Sequence, residues 1–171
     1  MILVTVGTER YSFNRLMHWV DLLLQYRLIQ EEVVVQYGSC TVLPSGVKVY
    51  QNLKTEQFID LVHQANFVIS HCGEGSLLLL EEMEKSYVLV PRSHKFKEHV
   101  DDHQIELAIA LSQVGGSIAW SAGDLVQRLY SSQPTLLKTR SALATQILCQ
   151  KLDTRFSSIH PTPDLTYAQS E

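Results

Sequence analysis

FVISHCGEGSLLLLEEM, residues Phe67–Met83, is the stretch from which the fold can be read. Phe67–Ser70 is a short apolar run with β-branched residues, the pattern of a strand buried on both faces. The run breaks at Gly73 and Gly75, and Leu77–Met83 continues with helical character. Strand, glycine-rich turn and helix, in that order, form the repeating unit of a parallel α/β sheet.

The same alternation extends to both sides. Upstream, Met1–Val6 reads as a buried strand stopped by Gly7-Thr8, and Asn14–Tyr26 carries Leu16, Met17, Val20, Leu23 and Leu24 as a helical stripe. Val33–Tyr37 is a second strand ended by Gly38-Ser39, Val47–Tyr50 a short third, and Phe58–Ala65 a helix. Downstream, Tyr87–Val90 is a strand closed by Pro91, and Asp102–Gln113 a helix stopped by Gly115-Gly116. Ser117–Trp120 reads as a last short strand, with closing helices over Ala122–Tyr130 and Leu136–Leu152. From Thr154 the chain is polar and carries Pro161 and Pro163, a loose tail. The expected architecture is a single doubly wound, Rossmann-like α/β domain with a mostly parallel sheet, residues 1–153, followed by a flexible tail, residues 154–171.

Composition excludes several partners. The formal net charge of −4 argues against a nucleic-acid groove, which needs a basic surface. The 14 Lys and Arg residues are scattered, without a polybasic run for anionic lipid. Cys40, Cys72 and Cys149 are odd in number and far apart, so neither a disulfide framework nor a structural zinc site is expected. Met1–Val6 has no basic flank or cleavage pattern of a signal peptide, and no segment approaches the roughly 20 apolar residues of a bilayer span. A cytoplasmic protein is expected, held at a membrane only through something else.

In open α/β sheets ligands bind beyond the carboxyl ends of the strands. Gly7-Thr8-Glu9 follows the first strand, His71-Cys72-Gly73-Glu74-Gly75-Ser76 the one at Phe67–Ser70, and Pro91-Arg92-Ser93-His94 the one at Tyr87–Val90. Gly73 and Gly75 would let backbone approach a ligand, and N–H groups near Ser76 at a helix start would favour phosphate or diphosphate. The pattern is neither the G-x-G-x-x-G dinucleotide fingerprint nor a P-loop. The same residues would also make a plain strand–helix turn with Ser76 as N-cap. In Glu98-His99-Val100-Asp101-Asp102-His103-Gln104, His99 and His103 lie four apart and would share a helical face beside carboxylates. A divalent metal is conceivable there, the alternative being a solvated helix start opened by Asp102.

Together these clusters resemble the donor-binding, C-terminal-type domain of GT-B-fold glycosyltransferases. The likeness is to its small single-domain form, the Alg13-like proteins and the PssE-like subunits of exopolysaccharide synthesis. ILVTVGTERYSFNRL, ISHCGEGSLLLLEE and VPRSHKFKEHVDDHQIELA carry it, in the family's order and spacing. The resemblance implies a UDP-sugar-binding subunit of a two-component inverting glycosyltransferase, with an Alg14-like or PssD-like membrane-associated subunit binding the acceptor. It implies no cofactor and no metal, UDP-sugar being the substrate; in isolation the chain could instead self-associate. Gly7, Thr8, His71, Gly73, Gly75 and Ser76 would hold the diphosphate, and Asp102, His103 and Gln104 the sugar hydroxyls. Arg92, Glu98 and His99 would shape the mouth or the subunit interface. No residue is identified as the catalytic base.

The sequence also departs from that family. Leu79 stands where the family usually has a ribose-binding Glu, with Glu82 one helical turn on as the substitute. Glu84-Lys85-Ser86 stands for the usual Gly-Lys-Pro, and Glu74 places a carboxylate beside the expected phosphates. These changes define the alternative, a non-catalytic paralogue that keeps the fold and partner interface but not donor binding.

Overall fold

The computed structural model describes residues 1–131. The expected helix Leu136–Leu152, Cys149, the tail and the boundary at 153/154 lie outside the described residues. Five strands, β1 (Ile2–Thr5), β2 (Val33–Gln36), β3 (Lys48–Tyr50), β4 (Phe67–His71) and β5 (Tyr87–Val90), form one sheet of order β3-β2-β1-β4-β5. Every pairing is parallel. Five helices alternate with them: α1 (Asn14–Gln25), α2 (Thr55–Gln64), α3 (Glu74–Glu82), α4 (His103–Gln113) and α5 (Ala122–Tyr130).

The strand pleat divides the core in two. Ile2, Val4, Val33, Val35, Ile69, Val88 and Val90 point to one face, where they meet Leu16, Met17, Val20 and Leu23 of α1 and Leu125 of α5. Leu3, Val34, Val68, Tyr87 and Leu89 point to the other, against Val62 of α2, Leu77 and Leu80 of α3 and Leu107, Ala108 and Leu111 of α4. A strand covered on both sides can carry apolar residues at consecutive positions, which is why β1, β2 and β5 read as unbroken runs. Only β3, at the edge, is exposed along its length.

Three expectations need correction. Ser117–Trp120 is not a strand: it makes an isolated parallel bridge, Leu89 to Ile118, because Gly115-Gly116 precedes it and the Ser121 cap of α5 follows at once. α3 starts at Glu74, with Gly73 as its N-cap in extended geometry, rather than at Ser76 or Leu77. Glu74 takes the first helical position, where an acidic side chain favours the positive helix end. His94–Phe96 forms a 3-10 turn that no sequence pattern announced.

The end of α3 explains the Glu84 departure. Lys85 N–H bonds to Leu80 O at 2.9 Å and Glu84 N–H to Glu81 O at 3.2 Å, the paired bonds of a Schellman motif. The residue after the C-cap must then be left-handed, and Glu84 has φ 52°. That conformation suits glycine and costs an L-residue roughly 1–2 kcal/mol. Glu84→Gly is therefore expected to stabilise the protein by about 1 kcal/mol, measured as a higher urea midpoint at unchanged slope.

Candidate functional site

The strand order reverses between β1 and β4, since β2 and β3 lie to one side and β5 to the other. At such a switch point the loops leaving adjacent strands diverge and open a crevice. A cleft of about 670 Å³ lies there, lined by Thr5, Gly7, Thr8 and Glu9 from the end of β1 and by His71 and Gly73–Ser76 from β4 and α3. Its remaining walls are Gln36, Leu53, Thr55, Phe58, His99, His103 and Gln104. Nine residues singled out from sequence therefore meet in one place: Gly7, Thr8, His71, Gly73, Gly75, Ser76, His99, His103 and Gln104.

His71 sits between two glycines. Gly7 has φ +75°, and a Cβ there would lie 2.6 Å from His71 Cε1. A Cβ on Gly73 would collide with His71 Nε2. Gly73 thus makes room for the imidazole, a reason the sequence did not give; at Gly75 a Cβ would meet nothing within 4 Å. The ring is buried, and its Nδ1 has no hydrogen-bond partner. Burial, helped by the positive charge of Arg92, pushes the His71 pKa down to about 3, so the imidazole is neutral.

Gln36 fixes the loop after β1. Its Nε2 donates to Gly7 O and Gln51 O, each at 3.0 Å. Its Oε1 accepts from Thr5 Oγ1 at 2.8 Å and from Gly7 N–H at 3.2 Å. On the opposite wall α3 has no side-chain cap, and its first internal backbone bond is Leu77 N–H to Gly73 O. The N–H groups of Glu74, Gly75 and Ser76 accordingly have no partner within the helix, and they lie at its positive end against the cleft.

Other expected residues have different places. Arg92 is fully buried and cannot shape a mouth or an interface. Its guanidinium donates to Val6 O at 2.6 Å, Tyr11 O at 2.8 Å and Glu98 O at 2.9 Å. The Glu98 carboxylate, also buried, bonds Arg15 at 2.8 and 3.0 Å and accepts from Ser93 N–H. Asp102 is outside the cleft lining; its Oδ1 accepts from His94 N–H at 2.8 Å and from Ser93 Oγ. It holds the N-cap position of α4 without capping it. Glu82 is exposed at the far end of α3, away from the lining residues, because the helix carries it along the sheet. Gln104 lines the cleft with its Oε1 taken by Arg92 N–H, so its amide nitrogen is the donor it offers.

His99 and His103 do not share a helical face, since α4 begins only at His103. They nevertheless meet edge to face, centroids 4.4 Å apart. Asp101, quoted within that run but given no role of its own, explains why: its Oδ1 contacts His99 Nδ1 at 3.1 Å and makes a close hydrogen bond with His103 Nδ1. That bond to His103 draws the Asp101 carboxyl down to about 2. Gln36, Thr55 and Phe58 were also missed, being ordinary strand and helix residues whose role depends on the fold.

The family model for the glycosyltransferase family 28 C-terminal domain matches residues 1–155. Among solved structures, MurG of Acinetobacter baumannii is 16% identical, with a TM-score of 0.51 over 84% of this chain and 44% of that one. The glycotransferase of kitacinnamycin is 16% identical, with a TM-score of 0.53 over 92% of this chain and 41% of that one. The chain thus spans less than half the length of these two glycosyltransferases, and the likeness shows a GT-B C-terminal, Rossmann-like half. Comparison with curated proteins finds no match. No helix among the described residues is long and apolar enough to cross a membrane.

Two outcomes follow from the buried groups. Replacing Arg92 by Met leaves two buried carbonyls, of Val6 and Glu98, and the half-buried one of Tyr11 without this donor, at roughly 1–3 kcal/mol for each buried one. Guanidinium unfolding should therefore show a loss of at least about 2 kcal/mol. His71 is neutral when folded but takes a proton near pH 6.5 when unfolded. Its contribution is complete above pH 6.5 and is lost as pH falls toward about 3. Unfolding measured across that window should steepen with acid, and His71→Gln should flatten the slope by about one proton.

Proposed function

Because the chain belongs to the glycosyltransferase family 28 C-terminal domain family, we propose that it is the UDP-sugar-binding subunit of a two-component inverting glycosyltransferase. The observation that carries this reading is the uncapped start of α3, facing Gly7 across the switch-point cleft. Three outward N–H groups at a positive helix end are an anion site by construction. The diphosphate lies against Gly7, Thr8 and the first turn Glu74–Ser76, beneath the neutral His71. Leu53 and Phe58 give the nucleobase an apolar wall. His103 and the amide of Gln104 face the sugar, and Asp102 acts at one remove by holding Ser93 and His94.

In the transfer an acceptor hydroxyl attacks the anomeric carbon from the face opposite UDP. The bond from that carbon to the β-phosphate oxygen breaks, and its electron pair leaves on the phosphate. N–H groups already aimed at that oxygen stabilise the growing charge without reorganising. The proton of the attacking hydroxyl goes to a base on the acceptor side. That base and the acceptor site belong to a membrane-associated, Alg14-like or PssD-like subunit, which would hold this chain at the cytoplasmic membrane face.

A second reading has one observation in its favour. Glu74 occupies the first turn of α3 and lines the cleft, so a carboxylate already sits at the positive end a diphosphate would use. A paralogue that kept the fold but lost the donor would look like this. Calorimetric titration with UDP separates the two. The donor reading expects saturable heat, weakened at least several-fold in Gly75→Val, whose side chain enters open space at the cleft-lining first turn of α3, with the far-UV spectrum intact. Glu74→Gln should bind UDP roughly two- to fivefold tighter, since a charge at a helix end is worth about 0.3–1 kcal/mol. A folded protein giving no heat at millimolar UDP would sink donor binding.

A further inference from the structure

We propose that Gln36 is a positioning residue for the donor, its amide coupling the two segments that receive opposite ends of UDP. One is the Gly7 loop, on the diphosphate side; the other is residues 51–55, on the nucleobase side. The identity of the ligand rests on the donor reading, whereas the coupling of the two segments does not. Gln36 ends β2 and stands opposite Thr5, which ends β1. Both side chains are buried. Strand alternation turns them to the face of Leu3 and Val34, where α2 and α3 pack. Both residues line the cleft.

A primary amide has two N–H donors and two acceptor lone pairs, and Gln36 uses all of them. Nε2 donates to Gly7 O and to Gln51 O, while Oε1 accepts from Thr5 Oγ1 and from Gly7 N–H. The reverse orientation would set the NH2 against Gly7 N–H and the oxygen against two carbonyls, so the partners fix which way the amide faces. Gly7 is gripped through both its N–H and its C=O, which holds the backbone between them at its φ of 75°. Gln51 O is gripped from a second side by Gly38 N–H at 3.0 Å. Two residues beyond it Leu53 enters the cleft wall, followed by Thr55 and Phe58. A further tie between the loops, Ser39 Oγ to Glu9 O, is exposed, so the buried connection is the one through Gln36.

A ligand that touches two segments gains over its separate halves only as far as the spacing of those segments is held. Spacing left to fluctuate must be fixed at the moment of binding, and that ordering is subtracted from the affinity. Here one side chain holds it in advance. Gln36 acts through the backbone of Gly7 and Gln51, and its removal is therefore felt most by a ligand long enough to reach both.

Two variants of the full chain test this. Gln36→Met keeps the length of the side chain and removes all four bonds; Thr5→Val removes the hydroxyl that holds Oε1. Without ligand, amide exchange at Gly7 should quicken by at least about tenfold in Gln36→Met, with NMR shift changes at both residues 7–8 and residues 51–55. Unchanged Gly7 exchange, or changes confined to one segment, overturns the coupling. UDP is then titrated by calorimetry, and uridine and inorganic pyrophosphate by NMR shifts, on the parent and both variants. Gln36→Met should weaken UDP by at least about tenfold, and by more than the factors lost for uridine and for pyrophosphate multiplied together. Thr5→Val should show a smaller excess in the same direction. A purely structural role would weaken the three ligands without that excess, and such a result overturns the positioning role. Should Gln36→Met fail to fold, Thr5→Val carries the same comparisons, and no excess there overturns the role as well. Quickened Gly7 exchange in the variant with no UDP heat in the parent keeps the coupling, while the donor reading and the positioning role fall.

Discussion

The guanidinium of Arg92 is the point on which the upper surface of this domain depends. It is fully buried, yet it meets three backbone carbonyls, from Val6 after β1, Tyr11 before α1 and Glu98 before α4. A buried cation is costly unless its donors find acceptors; here the two terminal nitrogens do, linking loops distant in sequence, while Nε has no hydrogen-bond partner. Arg92 also lies over the face of Phe13, 4.8 Å from its centroid, so the apolar floor contributes as well. Beside it Glu98 binds Arg15 and Ser93 N–H, extending the same polar layer toward α1. The cleft is shaped by this layer as much as by the strands beneath it.

How far the sequence revealed the structure follows from what kind of signal each part carries. Strands β1, β2, β4 and β5 and helices α1 and α5 were legible because two-sided burial and helical stripes leave repeating patterns. Glycines after strands located the cleft. Arg92, Gln36 and Asp101 left no such pattern, because their importance lies in partners many positions away or on one side of a single loop. The start of α3 was misplaced for a different reason. Glu74 looks like a poor neighbour for phosphate, but as a first-turn residue it favours helix formation, and that local preference set the boundary.

The glycines do lie at the cleft, but the reason for them is only partly the one read from sequence. Gly7 and Gly73 enclose His71, and of the three glycines lining the cleft Gly75 alone leaves open space. The loop after β1 is therefore shaped from within the protein, by a neutral ring on one side and Gln36 on the other. Gln36 uses both ends of its amide at once, donating to Gly7 O and accepting from Gly7 N–H. A carboxylate of the same shape could not do both, so Gln36→Glu, although isosteric, would loosen the loop. Family likeness at the level of motifs thus rests on residues outside those motifs.

The sheet order carries a consequence for how the chain reaches this state. β1 lies in the middle, paired on one side with β2 and on the other with β4, whose residues come more than sixty positions later. Arg92 closes onto Val6 across 86 positions. β1 therefore waits with one edge unpaired until β4 emerges, and its loop stays open until β5 has passed. Parallel pairings at such separations are slow to form, and an uncovered apolar strand is sticky while it waits. A domain whose cleft is drawn from segments this far apart can thus assemble that cleft only as a late step of folding.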